Sequence, residues 1–159
     1  MNPIHVGIGE YSVSGNKNDV IKTFALGSCV AVIMYDKVQK VAGLIHIALP
    51  DSSVNSNKAK CKPGYFVDTG LPVFLKEMKR REATRNGAWI KIVGGSKIME
   101  DKGRFDIGKR NVLAIKKYLW KNRLGIIGEE IGGDISRTVS VSVATGEVEV
   151  SSKGNKWNL

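Results

Sequence analysis

The sequence predicts an α+β domain: a curved or double mixed β-sheet with two main helices packed on it. Segments 21–26, 29–35 and 40–49 are rich in Val, Ile and Ala and are separated by short turn signals, as strands are. Further along, Val139, Val141 and Val143 alternate with polar residues, the period-two signature of a strand. Between these runs lie two stretches with apolar residues at helical spacing, and runs of strands with inserted helices point to the α+β class.

The elements follow in order. The first three strands are continuously apolar, which implies cover on both faces. Asp68 or Thr69 suits the N-cap of a first helix that has Pro72 in its first turn and Leu71, Phe74, Leu75 and Met78 at helical spacing. It should end before Asn86-Gly87. Segment 89–93 reads as a strand running into Gly94-Gly95. Segment 107–122 is the second helix, with Val112, Ile115 and Leu119 inward and Gly125 as its stop. Segments 126–131, 137–143 and 147–150 are short strands, the last two joined at Ala144-Thr145-Gly146. The polar tail 151–159 is expected to be loose, which leaves 1–150 as a single domain.

A chain of 159 residues is long enough to bury about two thirds of its unfolded surface. The formal charge of +10 and a pI near 9.7 favour acidic partners. Basic residues gather at 58–62, 76–85 and 109–123, and on amphipathic helices such residues form solvated outer faces. Aromatics are sparse and no nucleic-acid motif accompanies them, so nucleic acid is not an expected partner. No apolar run approaches the roughly 18 residues of a membrane span. Two cysteines are too few for a disulfide framework, and the start MNPIHVGIGEY lacks the features of a signal peptide. A cytoplasmic location is expected.

Cys29 lies in LGSCVAV, between a Gly-Ser turn and a β-branched run. A free cysteine in a strand is ordinarily a small buried hydrophobe. Its neighbours favour chemistry. If the hairpin around 36–39 pairs Tyr35 with Lys40, or Asp36 with Gln39, the paired numbers sum to 75 and Cys29 falls opposite His46, with Cβ atoms roughly 4.5 to 5.5 Å apart. A one-residue slip would put them on opposite faces. An imidazole beside a thiol can take its proton, form an ion pair with the thiolate and later protonate a leaving amine. Gly27-Ser28 allows a bend that aims the N–H groups of Ser28 or Cys29 at a developing oxyanion. No Asp or Asn lies nearby on the preceding strand to orient the imidazole, whereas Thr23 does, through its hydroxyl or its carbonyl. Metal binding is disfavoured by the absence of CxxC or HxxxH spacing. Cys61, in KAKCKPGY, has no apparent histidine partner.

These residues resemble the chemoreceptor glutamine deamidases of bacterial chemotaxis, the CheD family. The resemblance runs from GIGEY (7–11) through LGSCVAV (26–32), HIALPDS (46–52), KPGY with DT after it, IGKRN (107–111) and GG (132–133) to TGEVEV (145–150). It implies a Cys-His-Thr site carried by Cys29, His46 and Thr23, in a fold similar to the catalytic domain of cytotoxic necrotizing factor. The implied reaction converts receptor glutamines to glutamates with release of ammonia, without metal or organic cofactor, and the implied partners are methyl-accepting chemoreceptors and a CheC-type response-regulator phosphatase. A non-catalytic regulator of that phosphatase is the alternative. Ser96-Lys97-Ile98-Met99 and Ala48 depart from the family's usual residues, the first bearing on partner docking and the second on packing.

Overall fold

The computed structural model describes residues 1–83, 87–97 and 106–159. Strands β1 (Asn2–His5), β3 (Asp19–Leu26), β8 (Arg137–Ser142), β9 (Val148–Ser152) and β10 (Asn155–Asn158) form one sheet in the order β1-β3-β8-β9-β10. The second sheet runs β2-β5-β4-β6-β7, from β2 (Tyr11–Ser14), β5 (Val41–Ile47), β4 (Val30–Asp36), β6 (Ala88–Gly94) and β7 (Ile126–Ile131). Three α-helices are described: α1 (Ser56–Cys61), α2 (Val67–Arg80) and α3 (Ile107–Lys121).

Alternation along β4 and β5 sorts the interior into two cores, because successive strand residues point to opposite faces. Ala31, Ile33 and Tyr35 of β4 and Ala42 and Leu44 of β5 meet Ile21, Val139, Val141 and Val150 of the other sheet. Val30, Val32, Met34, Ile45 and Ile47 instead meet Leu71, Phe74 and Met78 of α2 and Val112, Ile115 and Leu119 of α3. The second sheet is thus the middle layer, covered on both faces as its apolar continuity requires.

Several elements differ from the sequence expectation. Residues 2–5 and 11–14 form β1 and β2, edge strands too short and polar to announce themselves. The tail is ordered as a strand: β10 pairs antiparallel with β9, the Leu159 N–H donates to the Val148 carbonyl at 3.0 Å, and Lys91 Nζ donates to the Leu159 carbonyl at 2.6 Å. Neither Asp68 nor Thr69 caps α2, which starts after Phe66 without a side-chain cap. Asp68 instead accepts from the Ser52 N–H and hydroxyl, and the Thr69 hydroxyl donates to the Pro63 carbonyl. The stop of α3 falls on Arg123 rather than Gly125. Arg123 has φ +57°, its N–H bonds to the Trp120 carbonyl at 3.0 Å, and the Leu124 N–H reaches the Leu119 carbonyl at 2.9 Å, the paired bonds of a Schellman motif.

The β4–β5 hairpin is displaced from both expected pairings. Asp36 pairs with Val41, and its carboxylate accepts from the N–H groups of Val38 and Gln39 at 2.8 and 3.0 Å. With Lys40 at φ +56°, this leaves a four-residue loop, residues 37–40, and a pairing sum of 77 instead of 75. Ala31, not Cys29, is opposite His46. A shift of two residues preserves the face, so Cys29 lies one pleat further along on the side where His46 points.

Candidate active site

The cysteine turn is held from β6 and made possible by bare backbone. Between Thr23 and Leu26 the pairing of β3 with β8 slips, with Ala25 at φ +56°; the chain then bends through Gly27-Ser28 into β4. The Gly27 carbonyl accepts from the Ser96 N–H at 2.8 Å and the Cys29 carbonyl from the Gly95 N–H at 2.9 Å. Gly94, at φ +121°, passes so close that an added Cβ would sit 2.3 Å from the Cys29 carbonyl oxygen. Only glycine fits there.

Cys29 is half-buried and packs on the core between the sheets. His46 is buried on the same face, since Ala42 and Leu44, at even spacing from it on β5, belong to that core. Thr23 comes from β3 in the opposite sheet and is fully buried. Its Oγ1 is 2.7 Å from His46 Nδ1 and 2.6 Å from the Val6 carbonyl oxygen. A carbonyl only accepts, so the single hydroxyl proton goes to Val6 and the hydroxyl must accept from His46 Nδ1–H. That fixes the tautomer. Nε2 carries the free lone pair, and it is buried without a hydrogen-bond partner, the Cys29 sulfur included.

Burial disfavours the charged form of both side chains. It pushes the Cys29 thiol up to about 11, against a smaller lowering by its own backbone N–H. Burial likewise lowers His46 to about 4. Both shifts oppose charge separation and so run against the thiolate–imidazolium pair expected from the sequence.

Of the residues read from the sequence, Cys29, His46, Thr23, Gly27 and Ser28 gather at one end of the inter-sheet core and its adjoining turn. Cys61 is exposed at the end of α1, outside the site. Among the described residues no cluster of three His, Cys, Asp or Glu side chains could hold a metal ion. The Ser96 N–H reaches the turn at the Gly27 carbonyl and the Ala48 carbonyl accepts from the Asn111 side chain, while residues 98–99 lie outside the described residues. Sequence reasoning passed over Asn111. It is fully buried on α3, and Nδ2 donates to the carbonyls of Ser28 and Ala48, each at 3.0 Å. The signal was present: an asparagine on the inward stripe of an amphipathic helix, four residues before Ile115.

Residues 48–152 match the family described as CheD chemotactic sensory transduction. A probable chemoreceptor glutamine deamidase CheD of Syntrophotalea carbinolica is 47% identical over 162 residues, covering all of both chains. The chemoreceptor glutamine deamidase CheD of Thermotoga maritima is 40% identical over 154 residues, 97% of this chain and 94% of its own. Among solved structures, a DUF152 protein of Neisseria meningitidis, NMB0706, is similar at TM-score 0.46 and 10% identity, over 84% of this chain and 63% of its own, too distant to bear on function. The family match over most of the chain, with relatives matching it end to end, places this chain in the CheD family.

Proposed function

We propose that the protein is a chemoreceptor glutamine deamidase, a protein-glutamine glutaminase working through a cysteine thioester. The observation that carries the mechanism is the Thr23–His46 hydrogen bond, which leaves His46 Nε2 unprotonated on the face that Cys29 shares. As Cys29 attacks the side-chain carboxamide, its proton passes to Nε2, the S–C bond forms and the carbonyl π pair moves to oxygen. The oxygen pair then returns, the C–N bond breaks, and His46 gives its proton to the departing nitrogen, releasing ammonia. Water repeats the sequence on the thioester: Nε2 takes its proton, the S–C bond breaks, and the sulfur regains a proton from His46. The product is glutamate and the enzyme is restored.

Thr23 orients His46, and the Cys29 N–H serves the oxyanion. Substrates are cytoplasmic regions of methyl-accepting chemoreceptors, in keeping with the names of the relatives, and a CheC-type phosphatase is a second partner. A cytoplasmic location belongs to this reading; among the described residues no helix is long and apolar enough to cross a membrane.

Mass spectrometry of receptor cytoplasmic fragments incubated with the protein tests the proposal. Expected are a gain of about 1 Da per converted glutamine and hydroxylamine trapping of the acyl group from Cys29, as thiol acyl transfer demands. Unmodified receptor, or equal conversion by Cys29→Ala, would defeat it.

A further inference from the structure

We infer that Asn111 is the positioning residue of the oxyanion site, a reading that rests on the thioester chemistry proposed above. β4 and β5 stop pairing at Val30 and Ile47. One step further, where a rung between residues 29 and 48 would continue the ladder, the Asn111 amide bridges the carbonyls of Ser28 and Ala48. Both neighbours are acceptors, so the amide nitrogen must face them, which leaves Oδ1 buried and unpartnered.

The consequence runs through one peptide plane. In a trans peptide the carbonyl and the following N–H point in opposite directions. By drawing the Ser28 carbonyl toward α3, Asn111 turns the Cys29 N–H away from the helix layer. Cys29 packs on the inter-sheet side, the side to which the turned N–H then points. The donor therefore points to where an oxygen develops when the sulfur adds to a carboxamide. Asn111 touches no reacting atom. It holds the peptide that does.

Two thiol reactions separate this role from general support of the fold. Butanal gives a hemithioacetal: the S–H proton passes to His46 as sulfur bonds to the carbonyl carbon, the π pair moves to oxygen, which needs the oxyanion donor, and that oxygen then takes the proton from His46. Iodoacetamide alkylates sulfur by displacing iodide, with no oxyanion formed. For Asn111→Ala and Asn111→Asp, kcat on a chemoreceptor cytoplasmic fragment and inhibition by butanal should each weaken about 10- to 100-fold, toward the loss of one oxyanion donor. KM and the rate of Cys29 alkylation should stay within about 3-fold, because alkylation develops no oxyanion and the N–H is the smaller of the two influences on the thiol pKa. Alkylation falling in parallel with kcat, or variants as active as the parent, overturns the inference. In the parent protein, the Cys29 amide proton should shift downfield in the NMR spectrum when the butanal adduct forms; an adduct without that shift overturns it even if both variants fail to fold. Failure of butanal to modify Cys29 in the parent overturns the thiol reading itself and the inference with it.

Discussion

At His46 a buried imidazole is held neutral, and its consequences are measurable. The active form needs Nε2 unprotonated, so kcat/KM should lose its acid limb near pH 4, far below the usual histidine value of about 6.5. Because burial also holds the Cys29 thiol near 11, alkylation should keep rising above neutral pH instead of reaching a plateau. A plateau below pH 7 would mean an ion pair. Stability follows from the same shift. Between about pH 6.5 and 4 the unfolded chain binds a proton at residue 46 that the folded chain refuses, so stability falls as pH drops through this window, by about 3 kcal/mol in all, and this contribution changes no further below it. Urea unfolding of the parent and of His46→Gln at pH 7 and 4.5 checks it, the variant lacking that part of the loss. At Thr23 the hydroxyl is the acceptor of Nδ1–H, so Thr23→Ser should keep most activity while Thr23→Val and Thr23→Ala lose about 10-fold or more, as expected when an imidazole loses its orienting group. Equal activity in all three would remove the hydroxyl from the mechanism.

Among the elements, hairpin and helix ends decide where side chains arrive. The Asp36 carboxylate, by accepting from two loop N–H groups, stabilises a four-residue loop and moves the β4–β5 pairing by two. The face survives the shift, whereas the directly opposed pair does not. At the C-terminal end of α3, Arg123 is exposed and holds a left-handed conformation that its side chain disfavours. Arg123→Gly should stabilise the protein by about 0.5 to 1 kcal/mol, seen as a higher urea midpoint at unchanged slope. A lower midpoint would mean that the arginine side chain contributes more than its backbone strain costs. Gly94→Ala should do the reverse and disrupt the turn around Cys29, since the clash is with backbone.

For the whole molecule, the charge of +10 is a matter of encounter rather than chemistry, which takes place on a neutral carboxamide. Raising salt from about 0.05 to 0.5 M shortens the Debye length from roughly 14 to 4 Å and should lower kcat/KM for receptor fragments more than kcat. Lys116 is a poor probe of this, being paired with Glu129 at 2.8 Å. Lys117 is exposed on α3, and Lys117→Glu should reduce the salt sensitivity if that face meets the receptor. A kcat/KM independent of salt would assign the basic surface to another partner or to solubility alone.

Local chemistry made much of this protein legible. Apolar runs marked β3, β4 and β5, period-two valines marked β8, and helical spacing placed Val112, Ile115 and Leu119 of α3 inward, because burial pattern follows backbone geometry. Parity alone put Cys29 and His46 on one face, since a two-residue shift of register leaves parity intact. Tertiary structure decided the rest. Thr23 reaches His46 across the gap between two sheets, its hydroxyl committed by a Val6 carbonyl from a segment the sequence left unassigned. The packing of the two sheets desolvates thiol and imidazole, which disfavours the charged form of each, and Asn111 on a distant helix ties the ends of β4 and β5 where their ladder stops. Those contacts join residues far apart in the chain, and no local period or propensity specifies which hydrogen-bond donors and acceptors packing will bring together.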